Sequence, residues 1–302
     1  MRSQSMRVVC GLLLSGWLTF AAAAKSPLPG TINYLEGQAT VNGQPLTTQS
    51  IGTAVVETGQ VLDTQNGKVE VLLTPGVFFR LGENSEARVV SSGLADVEVA
   101  LARGQAAVEA DYWSKDNRLR IDENQSRVDI LKRGLYVLNA GPPFVQVLDG
   151  KAKVMLEEQS INAGKDREAI VDPSGRLKAQ DFNVKALKET ALVRWSSLRS
   201  QYEAQANLDA ARTVVINNGW YGPGWYWGPA FGYWSFLPGN GFLYSPFGWG
   251  FYSPVYIRSY GGPYFARPGF HGYYGQGFVS RGFAAHPFAS HPGGFAASGR
   301  HR

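Results

Sequence analysis

The 302 residues contain one cysteine, Cys10, and it lies inside an N-terminal apolar run. The remainder of the chain therefore has no disulfide framework and no thiolate metal site. Histidine is nearly as scarce: His271, His286, His291 and His301 all fall in the last stretch. A nucleophile of the Ser–His kind would lack its base anywhere before residue 271. The tail histidines are spaced fifteen, five and ten residues apart, which is not a ligand spacing, and they read as solvated side chains. Acidic residues stop at Asp209, whereas Arg212, Arg258, Arg267, Arg281, Arg300 and Arg302 follow it. The body is thus mildly acidic and the tail basic, within an overall net charge of +5.

Long apolar runs are also missing. The one candidate, VVCGLLLSGWLTF, follows Arg2 and Arg7 and ends at the small residues Ala22, Ala23 and Ala24. It is shorter than the roughly 20 residues of a spanning helix and reads as a signal peptide over residues 1–24, the competing reading being an uncleaved anchor. Export to the periplasm or the extracellular space is the expectation, with no stable membrane span after signal cleavage.

What is abundant is period-two alternation. Val69, Val71 and Leu73 alternate with Lys68, Glu70 and Leu72; Val77, Phe79 and Leu81 follow a Pro75-Gly76 turn, with Arg80 on the opposite face. Val97, Val99 and Leu101 lead through Arg103-Gly104 into Ala106, Val108 and Ala110. Asn42-Gly43, Asn66-Gly67 and Asp149-Gly150 signal two-residue hairpins, the last pairing Val145 and Val147 with Ala152 and Val154. These runs predict an all-β domain over residues 30–177, an antiparallel sandwich or rolled sheet of hairpins. Beyond Pro173-Ser174-Gly175 the period changes. Val184, Leu187, Ala191, Trp195, Leu198 and Tyr202 recur at three and four, which predicts an amphipathic helix over 181–212, capped by Asp181 or Asn183.

Residues 219–302 hold 26 of the 38 aromatics, and glycine plus proline make up 28 of these 84 positions. Over 219–257 this is a Trp/Tyr/Gly/Pro-rich segment with two readings: a cap over the hydrophobic edge of the sheet, or an exposed adhesive surface whose rings stack on sugars or on one another. Residues 258–302 read as a disordered basic tail. Nucleic-acid binding is not expected, since few positive charges are spread over a long stretch and export removes the usual partner.

Residues 30 to about 172 resemble the FecR domain of bacterial envelope proteins. The phrases GTINYLEGQATVNGQPL, VETGQVLDTQNGKVEVLLTPGVFFRLGENSEARVV, VEVALARGQAAVEA, RVDILKRGLYVL, VQVLDGKAKVML and INAGKDREAIV carry the likeness, in the family's order, over about half of the chain. Where that family's ferric-siderophore regulators have a sigma-factor-binding segment and a membrane span, this chain has the apolar leader; where they usually show Gly-Thr, it has Arg133-Gly134. The resemblance implies a secreted or periplasmic FecR-domain protein without transmembrane anti-sigma signalling.

The acidic neighbours Glu83 and Glu86, Asp122 and Glu123, and Glu157 and Glu158 are the available carboxylate pairs for hydrolytic chemistry, and each reads as solvated charge at a turn or strand end. No catalytic, cofactor-binding or metal residue is assigned, and no cofactor is expected. The functional expectation is a non-enzymatic exported FecR-like binding or envelope scaffold protein whose partner is an envelope protein or a glycan. The alternatives are a periplasmic signalling partner of an outer-membrane receptor and a carbohydrate-active or other enzyme.

Overall fold

Alternating runs close into strands because each can bury one face while the other meets solvent or a third layer. The computed structural model of the chain describes residues 26–141, 143–217 and 222–260. The expected signal peptide and all of the tail beyond Tyr260 lie outside the described residues. Among the described residues no helix is long and apolar enough to cross a membrane.

The first strands are β1 (Thr31–Glu36), β2 (Ala39–Val41), β3 (Gln44–Pro45), β4 (Val61–Thr64), β5 (Lys68–Leu72) and β6 (Val77–Leu81). They are followed by β7 (Glu86–Gly93), β8 (Asp96–Arg103), β9 (Gln105–Ala110), β10 (Arg118–Glu123), β11 (Ser126–Ile130) and β12 (Gly134–Ala140). The series ends with β13 (Pro143–Asp149), β14 (Lys151–Leu156), β15 (Gln159–Gly164), β16 (Arg167–Val171) and β17 (Leu177–Asp181). Two sheets result, an eight-stranded one ordered β1-β5-β6-β9-β12-β13-β16-β17 and a nine-stranded one ordered β15-β14-β11-β10-β8-β7-β4-β2-β3. The predicted all-β class therefore takes the form of a sandwich. Pairing is antiparallel except between β8 and β10, which run parallel with Arg118 beside Asp96.

The sandwich interior is built from the inward residues of both sheets, among them Val69, Val71, Phe79, Leu81 and Val108 from one and Val97, Val99, Leu101, Ile121 and Val128 from the other. The outward face of the nine-stranded sheet is wet and carries cross-strand ion pairs, such as Arg120 to Asp129 at 3.0 Å and to Glu98 at 3.3 Å.

Two of the three Asx-Gly hairpins are corrected. Asn42-Gly43 has φ of 48° and 78° and joins β2 to β3, as a type I′ turn requires. Asn66-Gly67 instead carries the chain from β4 in one sheet to β5 in the other. Gly67 is required there by close approach, since a Cβ would lie 2.6 Å from the Gln38 backbone nitrogen. Asp149-Gly150 likewise links β13 to β14 across the sheets, so Val145 faces Leu138 and Ala169, whereas Val154 faces Val128 and Ile161. Of Asn66, Gly67, Asp149 and Gly150, only Gly150 has a positive φ, 101°, so neither pair forms the type I′ turn that returns a strand to its own neighbour.

That second crossover is fastened by Tyr136, fully buried, whose hydroxyl donates to the Lys132 carbonyl at 2.6 Å and accepts from the Lys151 N–H at 3.0 Å. Burial pushes this phenol's pKa upward, which keeps it a donor. Tyr136→Phe is expected to lower unfolding free energy by about 1–2 kcal/mol, because the backbone groups lose their partner. A denaturant midpoint that falls at unchanged slope is the measurement.

After β17 come α1 (Val184–Lys188) and α2 (Ala191–Asn217), so the helix expected over 181–212 is divided near Glu189 and runs on to Asn217. Asn183 caps α1 by accepting from the Ala186 N–H at 3.0 Å. The aromatic segment then forms two hairpins, β18 (Gly224–Gly228) with β19 (Tyr233–Leu237) and β20 (Phe242–Tyr244) with β21 (Gly250–Tyr252), followed by α3 (Pro254–Tyr260). Residues 258–260, expected in the disordered tail, thus complete a helix.

These elements form a third layer on the outward face of the eight-stranded sheet. Leu187, Leu192, Val193 and Trp195 cover Ala107, Leu135 and Val137. Trp225, Trp234 and Phe236 cover Leu72 and Phe78. All five residues of VFFRL in β6 are therefore buried.

Candidate functional site

The middle of this third layer is polar. Strands β5, β6 and β9 put Glu70, Arg80 and Glu109 on the outward face, Glu70 opposite Arg80 and Glu109 diagonal to it, opposite Phe78, because each is out of phase with the apolar residues that enter the sandwich. Helix α2 lays Ser196, Arg199, Ser200, Glu203 and Asn207 over them, all buried. The expected helix face is met in part: Leu187 and Trp195 are buried against the sheet, but Leu198 and Tyr202 are 46% and 43% exposed, and beyond Trp195 the docked face is the polar stripe one residue away.

Arg80 donates through Nε to Glu70 at 2.7 Å and through Nη1 to Glu109. Arg199 donates through Nη2 to Glu70 at 2.9 Å and to Glu203 at 2.7 Å. Its guanidinium also lies 4.0 Å from the ring centroid of Tyr34 and 4.6 Å from that of Tyr233, a cation held between two rings. Ser200 donates to Glu109 at 2.6 Å. Two asparagines bind the backbone of the third layer. The Asn33 side chain donates to the Trp234 carbonyl and accepts from its N–H, at 3.0 and 2.9 Å. Asn207 donates to the carbonyls of Phe236 and Tyr252 and accepts from the Tyr252 N–H.

Electrostatics follow from burial and pairing. Burial opposes ionisation of Glu70, but Arg199 and Arg80 outweigh it and bring its pKa down to about 2. Arg80 is held charged by Glu109 and Glu70 against the same burial. Burial and the neighbouring Glu70 charge push Glu203 well above the carboxylate range, and burial with Glu109 does the same for Asp111. This cluster is sealed, each member being at most 2% exposed, so substrate has no direct access to its carboxyls.

The carboxylate pairs considered in the sequence behave differently. Glu83 meets Lys68 at 2.6 Å in solvent and Asp122 meets Arg127 at 3.2 Å. Glu157 has φ of 49° in the turn between β14 and β15. Glu123 departs from its expected solvation: it is fully buried beside Ser126, and burial raises its pKa well above the carboxylate range. The four histidines lie outside the described residues. Among the described residues no group of three or more His, Cys, Asp or Glu side chains is arranged to hold a metal.

A second feature is on the surface. The aromatic segment divides into a buried part and an exposed part. Trp225, Tyr233, Trp234, Phe236 and Phe251 are buried, so the cap reading holds for them. Phe242, Tyr244 and Tyr260 are 46%, 47% and 65% exposed and belong to a continuous ring ladder. Phe242 meets Tyr244 at 5.5 Å and Tyr256 at 5.1 Å; Tyr256 meets Tyr252 at 5.8 Å and Tyr260 at 5.0 Å. Helical spacing of four places Tyr256 and Tyr260 on one face of α3, and Tyr252 at the end of β21 stacks on Tyr256. The ladder was hidden in the sequence by uniform aromatic density; the weak repeat of Tyr244-Ser245-Pro246 and Tyr252-Ser253-Pro254 was its only local sign.

No family model and no curated protein matches the chain. Among solved structures, two crystal structures of a "putative anti-sigma factor" from Parabacteroides distasonis are similar to it, with TM-scores of 0.38 and 0.37 at 16% and 17% sequence identity. The likeness covers 42% of this chain in both, and 62% and 61% of those chains.

Proposed function

We propose that this chain is a non-enzymatic FecR-like binding or scaffold module of the bacterial envelope, exported to the periplasm or beyond, and that it makes its contact through the Phe/Tyr ladder of β20, β21 and α3. The exposed ladder is the observation that carries this reading. Rings with about half their surface in water are retained at a cost in solubility, and contiguous exposed aromatic surface marks interaction sites. Four of the five rings carry a hydroxyl, so the ladder offers apolar faces with polar rims, the character of interface hot spots. Export is supported by Arg2, Arg7 and the apolar leader. A non-enzymatic role is supported by the sealing of the carboxyl cluster at the base of the third layer.

The test uses the full chain and isolated Gram-negative envelope fragments, with purified peptidoglycan sacculi in a parallel arm. The triple variant F242A/Y244A/Y260A is expected to lose at least about tenfold in retention while its thermal midpoint stays near that of the parent, since hot-spot rings contribute about 1–2 kcal/mol each to binding. Retention by sacculi alone would identify a glycan, and retention only by protein-bearing fragments an envelope protein. Undiminished retention of the triple variant would refute the ladder as the contact.

A further inference from the structure

We propose that the interface between the eight-stranded sheet and its helix-and-hairpin layer is a proton-operated latch, in which Glu203 and Asp111 each keep a proton while the layer is docked and release it when the layer lifts at alkaline pH.

The composition of the interface carries the proposal. It encloses two guanidinium groups, Arg80 and Arg199, and four carboxyls, Glu70, Glu109, Asp111 and Glu203, all at most 2% exposed. With every carboxyl ionised the enclosed charge would be −2, which a dry interface does not tolerate. Two bound protons make it neutral. Their positions follow from contacts. Glu70 Oε1 and Glu203 Oε1 accept from the same two donors, Asn33 Nδ2 and Arg199 Nη2, so these carboxyls lie against each other and one must be the donor of the pair. Glu203 Oε2 and both oxygens of Asp111 are buried without a hydrogen-bond partner, and burial together with the nearby Glu109 favours the protonated form of Asp111. Two like carboxyls in contact share one proton.

The division of charge between the two sides gives the latch its direction. The sheet contributes Glu70, Arg80, Glu109 and Asp111, which with Asp111 protonated sum to −1. Helix α2 contributes Arg199 and Glu203, which with Glu203 protonated sum to +1. Docked and doubly protonated, the two sides attract. After loss of both protons the sheet side is −2 and the helix side is neutral, so attraction disappears and the excess charge is relieved only by water.

The other groups facing the cluster do not offset this change. Asn33 and Tyr34 of β1, Tyr233 of β19, and Ser200 and Ser245 contribute no positive charge in this range, and the Arg133 guanidinium acts on Asp111 without a direct hydrogen bond. Undocked carboxyls lose their protons in the ordinary range, near pH 4 to 4.5, whereas docked Glu203 and Asp111 retain theirs above it. In that window each retained proton makes the docking equilibrium fall tenfold per pH unit as pH rises. Glu70 has the opposite sign: its depressed pKa contributes to docking above the ordinary range and is lost only as pH falls toward about 2.

Infrared and circular dichroism spectra of the full chain provide the test. The parent is expected to show a protonated-carboxyl carbonyl band at neutral pH, and an alkaline transition that removes the near-ultraviolet aromatic signal while the strand signal in the far ultraviolet remains. E203Q/D111N should lose intensity in that band relative to the parent, the remainder belonging to Glu123, and its transition should move to higher pH. If the double variant does not fold, E203Q alone supplies both readings. An unchanged band, or an alkaline transition at the same pH in parent and variant, would overturn the latch.

Discussion

Arg80→Met is expected to destabilise the fold by about 3–5 kcal/mol, the range for removing one partner of a buried ion pair. Arg80 is fully buried and is the cation between Glu70 and Glu109. Methionine fills similar space, so the loss would come from Glu109 left without its counter-charge and Glu70 left with Arg199 alone in a buried layer. This origin makes the effect reversible by a second change. Adding E70Q and E109Q to R80M removes the stranded charge, and most of the loss should be recovered even though three polar side chains have been altered. Urea or guanidinium unfolding of the single and triple variants measures both steps. A single-variant loss below about 1 kcal/mol would mean that Arg80 is hydrated despite its apparent burial.

Phe236→Ala is expected to cost a comparable amount, about 3–5 kcal/mol, the range for large-to-small changes at buried aromatic sites. Phe236 is fully buried on the sheet's outward face, 6.0 Å from the Trp225 ring and 5.8 Å from that of Tyr112. Tyr244→Ala, only seven positions beyond Leu237, is expected to change stability by no more than about 0.5 kcal/mol, because its ring is half exposed. Thermal midpoints of the two variants compare the parts of the aromatic segment directly. Similar midpoints would contradict the division into a structural layer and an exposed ladder.

Period two made the strand content readable because the sandwich interior is mostly apolar: Val69, Val71, Phe79 and Val108 all belong to it, and Glu123 and Ser126 are buried polar exceptions. Strand order was not readable, since Asn-Gly and Asp-Gly pairs mark a turn in the sequence without fixing its dihedral angles: Asn42-Gly43 takes positive φ at both positions and Asn66-Gly67 at neither. Hydrophobic periodicity also misplaced the docked face of α2 beyond Trp195. It selected Leu198 and Tyr202, while the sheet beneath presents charge and is met by Arg199 and Glu203. The trace of this contact was present in the sequence as Glu70, Arg80 and Glu109, each a charge within a strand apolar on both sides, and as Arg199 and Glu203 one helical turn apart. Charged residues inside otherwise apolar strands are expensive unless another element pairs them, and in that sense they announced a third layer. The aromatic segment resisted reading because ring density is equally compatible with burial and display; only its neighbours in space separate Phe236 from Phe242.

The bonds between Asn33 and Trp234 join residues 201 positions apart. Synthesis delivers the two sheets well before β19, and loop closure over such a span is slow compared with formation of the hairpins. For that interval Leu72 and Phe78 face outward with no Trp225 or Phe236 to cover them, alongside charges that hydration can satisfy. Glu70, Arg80 and Glu109 therefore have a role in time as well as in space: they interrupt what would otherwise be a continuous sticky surface on the incomplete chain, and protect it from aggregation until Trp225 and Phe236 arrive.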